Sequence, residues 1–457
     1  MPAPTGLCSL YPVFPFRDAS QRTTKLIPSF RFTQKFRMTA TIRELSCADD
    51  YDPNSMPVDK ARDFISKVLS PITLTERLNI RAALGRVTSE DIISPIDVPG
   101  HDNSAMDGWA YRHADIGSGA TTSMKRIGTS FAGKPYLGPV GKGECVRIFT
   151  GAVMPADCDT VAMQERVTED AAGIHIPNDL KAGQNRRFRG EDLRTGAVAL
   201  KRGSLIGPAA LGLLASLGIP EVNVYRKLRV AFFSTGDELK TIGSPLGPGE
   251  IYDSNRYTIY GLLERAGCQP IDLGNFVDSP EAIKAAFLAA SAQADVIITS
   301  GGVSVGEADF IKQMLNELGE VLFWKIAMKP GRPMAVGKVG GAYFFGLPGN
   351  PVAVTVTFYQ FVRSALATLQ GRTDYALPPT VKATLTNNVK KMPGRTEFQR
   401  GVLTIGPNGC EVKTTGDQGS GILSSMTQAN CFVVLGTDVG NVAAGAVVDV
   451  QMFEGVV

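Results

Sequence analysis

Between Leu228 and about Leu369, short apolar runs alternate with helix-period segments, and no other feature restricts the fold of this chain as much. The apolar runs are Leu228–Phe233, Pro270–Phe276, Asp295–Ser300, Val321–Ile326, Pro333–Val336 and Tyr343–Leu347. The helical stretches are Ser254–Ala266, Pro280–Ala294, Ala308–Leu318 and Pro351 to about Leu369. Such alternation predicts a mostly parallel sheet covered by helices on both faces. Ligands of these sheets sit beyond the C-terminal ends of the strands, so the chemistry is expected there.

The flanking segments read differently. Val58, Ala61, Phe64, Ile65, Val68 and Leu69 share one helical face, and Pro71 stops that helix. Residues 96–190 hold recurrent Gly and Pro between short apolar runs, which predicts a small β module. Pro208–Gly218 reads as a second helix and is expected to pack back on the first, making the β module an insertion. After Gln370-Gly371 the helical signal stops, and residues 376–457 read as a small β-barrel or sandwich. The expected architecture is multidomain α/β. An elongated helical domain spans 38–99 plus 193–227, with the β module inserted at 100–192. An α/β domain follows at 228–372, and a C-terminal β-barrel at 373–457. Residues 1–37 are set apart as basic and Ser/Thr-rich. Three readings stay open for them: an upstream start with Met38 as the true one, a disordered tail, or a transit peptide.

Several function classes fall away. The net charge of +3 comes from that tail, which has six basic residues and one acid; the other 420 residues are net −2. No nucleic-acid footprint remains. No stretch approaches the roughly 18 uninterrupted apolar residues of a membrane span. The most apolar window, Val352–Val362, is short and holds two Thr and a Gln. Seven scattered cysteines without a CxxC argue against a disulfide framework or a zinc knuckle and suit a reducing cytosol. With three histidines, any metal is expected to be a hard cation on carboxylates, such as Mg²⁺.

Polar, Gly-rich segments follow the predicted strands. Ser300-Gly301-Gly302 opens a loop running to Glu307-Ala308-Asp309. Its paired glycines let backbone N–H groups approach an anion or a heterocycle; a plain tight turn is the alternative. Asp309 is either a helix first-turn acid or a metal or ligand contact. The loop is neither a Walker A motif nor GxGxxG. In Leu347-Pro348-Gly349-Asn350-Pro351, Asn350 suits a helix N-cap and Pro351 position N1; the segment is either that or a stiff pocket wall. Lys325, Lys329 and Arg332 put three cations within eight residues, which suits a phosphorylated or oxyanion ligand unless the loop is merely solvated. In the β module, Asp102 to Gly108, Arg147 to Gly151 and the charged run Arg186 to Asp192 are turns or salt-bridge clusters taken singly. Together they suggest a second wall. Acids (Asp107, Asp192, Glu238, Asp309) and bases (Arg187, Lys325, Lys329) on separate modules meet only at an interdomain cleft, where they describe phosphoanhydride chemistry.

The residues that carry a resemblance are these: Asp97-Val98-Pro99-Gly100 through Asn103-Ser104-Ala105-Met106-Asp107-Gly108, Thr150-Gly151, Arg189-Gly190-Glu191-Asp192, Ser234-Thr235-Gly236-Asp237-Glu238, Ser300-Gly301-Gly302 through Asp309, Lys329-Pro330-Gly331 and Leu347 to Pro351. Over residues 40–457 the chain closely resembles the MoeA-type molybdopterin molybdenumtransferases, the family that includes the gephyrin E domain. The resemblance implies a molybdopterin-binding α/β domain and an elongated homodimer. The active site would lie between the α/β domain of one subunit and the β module of the other. It implies a cytoplasmic reaction of adenylated molybdopterin with molybdate that releases AMP. Asp192, Glu238, Asp309, Lys325 and Lys329 are then the catalytic candidates, with Glu238 and Asp309 on Mg²⁺. Asp107, Thr150, Arg187, Ser300, Gly301, Gly302, Asp278, Arg332, Pro348 and Pro351 are candidates for substrate binding. Arg400 and Ser420 resemble a molybdate-holding pair, a guanidinium fork plus a hydroxyl. The adenylation step would come from another protein, a molybdopterin adenylyltransferase met transiently, as would molybdoenzyme maturation proteins. Two other functions are weighed: a molybdopterin adenylyltransferase, and a non-catalytic dimeric scaffold.

Overall fold

The computed structural model describes residues 55–301, 314–315, 317–375, 379–407 and 409–453. The segment 1–37 and most of the Ala308–Leu318 helix expected above lie outside them. The central sheet has six strands in the order Gln269–Phe276, Arg229–Thr235, Val296–Ser300, Ala342–Leu347, Pro333–Val339, Gly319–Lys325. The first four are parallel; the last two join antiparallel. Successive residues of a strand face opposite sides. Val230, Phe232, Ile298 and Phe345 therefore enter one core, and Ala231, Phe233, Ile297 and Phe344 the other. Burial on both faces is why these strands read as continuous apolar runs.

Helices start where the sequence supplies caps. Asp253 accepts the Arg256 N–H at the head of Ser254–Arg265, and Ser279 accepts that of Ala282, ahead of Pro280–Gln293. The helix Pro351–Leu369 is long and apolar enough to cross a membrane by length and composition, but 83% of it is buried inside the protein. It is the central pillar of the first core, along with Ser254–Arg265.

The first helix, Val58–Val68, does not meet the second, Pro208–Ser216, as the sequence reading expected. It packs on the α/β domain instead. Phe64 meets Trp324 edge-on at 5.0 Å, and Arg62 Nε donates to the Gln360 carbonyl at 3.2 Å. Leu214 of the second helix is buried with Ala83, Ile92, Val222 and Val224. An apolar stripe says that a helix is covered, not by what. The region expected to be helical is largely a two-step ribbon. Thr75–Asn79 pairs with Glu221–Tyr225, and Ile92–Ile93 with Val198–Leu200.

The β module is a six-stranded sheet ordered Thr160–Met163, Gly108–Tyr111, Glu144–Ile148, Thr121–Ser130, Gly173–Pro177, Thr168–Asp170. At the C-terminus, strands Thr380–Leu385, Thr396–Gly406, Gly409–Thr414, Cys431–Leu435 and Val447–Met452 close into a five-stranded barrel, because Thr396–Gly406 pairs on both sides. A short strand of the α/β domain, Met328–Lys329, adds to the barrel in parallel, with Lys329 opposite Glu397. This seam fixes the barrel against the strand ends.

Candidate active site

The C-terminal strand ends open into a cavity of about 710 Å³. Eight sequence candidates line it: Glu238, Ser300, Gly301, Lys329, Arg332, Pro348, Pro351 and Ser420. Local backbone chemistry explains the close approach of two walls. Gly301 has φ +91°, and a Cβ there would lie 2.7 Å from the Thr235 carbonyl oxygen. A Cβ on Gly236 would lie 2.6 Å from Glu238 Oε2, so the carboxylate folds over a backbone that only glycine leaves open.

Asn255 ties the two Gly-rich turns together. Its Nδ2 donates to Ser300 Oγ at 2.8 Å and to the Gly349 carbonyl at 2.6 Å. The rest of the lining comes from the seam and the barrel. Lys329 Nζ lies 3.5 Å from Oε1 of the buried Glu397, whose Oε2 accepts from Gln399 at 2.9 Å. Arg395, Gln418, Gly419 and Ser420 complete that lining. Arg395 and Asn255 were not singled out in the sequence. Asn255 had a signal, because Asp253-Ser254-Asn255 is more polar than a helix start needs. Arg395 had none, since only barrel closure brings it here.

Arg400 requires a correction. It is 0% exposed and does not line the cavity. Its guanidinium donates to the carbonyls of Asp417, Gln418 and Gly419 and to Ser425 Oγ, at 2.9–3.2 Å. Four of its five N–H donors are thereby occupied. Arg400 shapes the loop that presents Ser420 and is not itself placed to hold molybdate. Lys325 is half-buried at a strand end and does not line the cavity either. The same holds for exposed Asp278, whose N–H donates to Asp237 Oδ1 at 3.2 Å. Gly302 and Asp309 lie outside the described residues.

The β-module candidates form a separate group. Asp107 Oδ1 accepts both the N–H and the hydroxyl of Thr150 at 2.7 Å. Arg187 and Asp192 are exposed on the same module, Arg187 in register with Asn103. Asp102 binds Arg186 and the Arg189 N–H, and Asp97 binds Arg189 and Thr195, so this charged run is held in place. Three carboxyls are held below the ordinary carboxylate range. The Thr150 N–H and then its hydroxyl do so for Asp107, and the Thr195 N–H and then Arg189 for Asp97. For Asp102, burial pushes upward but is outweighed by the Arg189 N–H and by Arg186. Folded values below unfolded ones mean stabilisation that is complete above the unfolded pKa and lost as pH falls through the folded one. The melting temperature is expected to stay flat from pH 7 to about 5 and to drop below about 4. A pH series of thermal melts checks this, and Asp107→Asn should blunt the acid limb.

Among the described residues no three His, Cys, Asp or Glu side chains form a metal cluster. Mg²⁺ commonly takes one or two carboxylates, with waters and substrate phosphates as its other ligands. Glu238, cradled over Gly236, fits that role.

Sheet, cavity and appended modules define a multidomain α/β protein whose cleft at the strand ends holds both acids and cations. Comparison with known proteins narrows the class. Residues 56–218 match the MoeA N-terminal region (domain I and II), 231–368 a probable molybdopterin binding domain, and 382–453 the MoeA C-terminal region (domain IV). A molybdopterin molybdenumtransferase of Haemophilus influenzae is 48% identical over 400 residues, 87% of this chain and 98% of that protein. One from Nostoc is 36% identical over 79% of this chain and 85% of its own length. The crystal structure of a molybdopterin biosynthesis MoeA protein from Pyrococcus horikoshii superposes with a TM-score of 0.76 at 29% identity, covering 88% of this chain and all of that one. The chain belongs to the MoeA family of molybdopterin molybdenumtransferases, transferase enzymes of molybdenum cofactor biosynthesis.

Proposed function

We propose that this chain takes adenylated molybdopterin and molybdate, cleaves the phosphoanhydride, releases AMP and leaves molybdenum on the dithiolene. The observation that carries this reading is that one cavity at the strand ends is lined by Glu238 together with Lys329, Arg332, Arg395 and Ser420. Cations fixed before reaction stabilise charge as an anhydride breaks, at no cost of reorganisation. A guanidinium and a hydroxyl suit a tetrahedral dianion, so Arg395 with Ser420 replaces Arg400 with Ser420 as the pair for molybdate. Mg²⁺ would be held by Glu238 and, on sequence grounds alone, Asp309, and would neutralise phosphate charge.

The working form is a homodimer. No residue of the β module lines the cavity, yet Asp107, Thr150, Arg187 and Asp192 are presented on that module. A second copy supplies them. A sizing measurement that finds only monomer sinks this part. The scattered cysteines suit a cytoplasmic setting. There the chain would meet the adenylyltransferase that supplies its substrate and the maturation proteins that take its product.

The test is AMP release from adenylated molybdopterin with Mg²⁺, with and without molybdate. Molybdate-dependent release that is lost in Glu238→Ala is the expected result. Pyrophosphate release from ATP and free molybdopterin would favour an adenylyltransferase. No turnover by a folded dimer would favour a scaffold.

A further inference from the structure

Lys391 is 5% exposed and opens the turn that carries Arg395 into the barrel strand Thr396–Gly406. Its ammonium donates to three backbone carbonyls: Val439 at 2.8 Å, Met392 at 3.2 Å and Thr437 at 3.4 Å. An ammonium has three donors, so all of them are taken. The Lys391 backbone N–H donates to Asn441 Oδ1 at 3.0 Å. Loop 437–441 is thereby held against Lys391 along its length, and the ammonium lies buried beneath residues that are themselves largely exposed.

This loop bears directly on Arg395. The Gly394 N–H donates to the Thr437 carbonyl at 2.8 Å, the same oxygen that the Lys391 ammonium reaches. On the other flank, the Thr396 N–H donates to the Ala327 carbonyl at 2.9 Å, across the seam. The seam therefore secures one side of Arg395, and the loop held by Lys391 secures the other. Arg395 itself is exposed and lines the cavity. An exposed side chain with many rotamers is placed only as well as its backbone is fixed. Burial pushes the Lys391 ammonium below its ordinary range; Glu397 and then Asp438 draw it upward, while Arg395 and Lys329 oppose them. Lys391 thus belongs to the same charged cluster as the two cavity cations of the seam and the turn.

We propose that Lys391 is a positioning residue, which acts through loop 437–441 to hold Arg395 where it meets the oxyanion substrate. Lys391 does not line the cavity, so it acts through another residue and not on substrate. The assignment rests on the transferase reading above, in which Arg395 and Ser420 take molybdate, and adds to it the group that fixes the guanidinium. A guanidinium that drifts loses its two-pronged contact with a tetrahedral dianion while keeping its charge. The effect therefore falls on molybdate and spares the organic substrate. Water replaces the ammonium at carbonyls of an exposed loop, so the barrel stays folded without it.

The test uses the full chain, with molybdate alone titrated by calorimetry and steady-state kinetics on both substrates. Lys391→Met keeps the stem and removes the donors. It should weaken molybdate about tenfold and raise the KM for molybdate alike, with the KM for adenylated molybdopterin within about twofold. Arg395→Ala should weaken molybdate about thirtyfold, the loss of a charged contact. Added to Arg395→Ala, Lys391→Met should change molybdate affinity less than about twofold, because the residue that it positions is gone. A purely structural lysine would weaken both substrates alike, and its effect would persist without Arg395. Either result overturns the assignment, as does unchanged molybdate affinity in folded Lys391→Met or no molybdate binding by the unaltered chain. If Lys391→Met fails to fold, Asn441→Ala decides. It takes one acceptor from the Lys391 N–H and should weaken molybdate about threefold, again only while Arg395 is present. Molybdate affinity lost through Arg395 in a chain that releases no AMP would leave this assignment standing and remove the transferase reading. Full turnover with molybdate affinity unchanged in Lys391→Met would do the reverse.

Discussion

Lys329→Ala is expected to lower molybdate-dependent AMP release by about 10²–10³-fold, the usual effect of removing one preorganised charge contact from a transition state. The expectation follows from the seam. Met328–Lys329 pairs with the barrel strand, and Glu397 stands at 3.5 Å to hold the ammonium towards the cavity. The Lys329 side chain is 50% exposed, so its truncation leaves the fold intact. Glu397→Gln should give a milder version, about tenfold and mainly in KM, because the charge remains but its holder is weakened. Steady-state kinetics beside thermal melts read both effects. A rate for Lys329→Ala above a tenth of the original would show that the seam cation is not the clamp.

Arg400→Ala is expected to cost roughly 4 kcal/mol of stability, because it strips donors from three carbonyls and empties a fully buried site. Activity should fall with it, for a different reason than at Lys329. The loop held by Arg400 delivers Ser420, and the Ser420 carbonyl accepts the Val352 N–H at 3.1 Å at the head of the central helix. Arg400→Lys should not rescue, since one ammonium cannot replace a fork that reaches three carbonyls and a hydroxyl. Denaturant titration is the deciding measurement. A variant with unchanged stability and lost activity would return Arg400 to the role of a direct ligand.

Much of this was legible in the chain, and the misses share a cause. Strands buried on both faces announce themselves as apolar runs, so Arg229–Thr235 and Val296–Ser300 were readable, as were the glycines that end them. Strand direction was less so. Gly319–Lys325 and Pro333–Val339 read as the parallel strands do, although the seven residues between them are too few for a crossover, and only a hairpin fits. Partners were not legible at all. Nothing in Val58–Val68 says that Trp324 covers it, and nothing in Phe398-Gln399-Arg400 says that a later loop buries the guanidinium. Charged side chains were assigned to ligands by type. The structure divides them by what their donors already hold: Arg400 is occupied by carbonyls, while Arg395, with no local signal, reaches the cavity.

The packing of Val58–Val68 against the central helix also sets an order on synthesis. Arg62 and Gln360 are 298 positions apart. At ribosomal rates of about 5–20 residues per second, the first helix waits about 15–60 s for its cover. During that interval Phe64, Ile65 and their neighbours face solvent or whatever binds nascent chains, while the β module between them has time to fold. The central helix and then the barrel, with Phe398 and Phe432, are the last parts to join the first core, so the nascent chain is most vulnerable to aggregation before the barrel that completes the cavity has emerged.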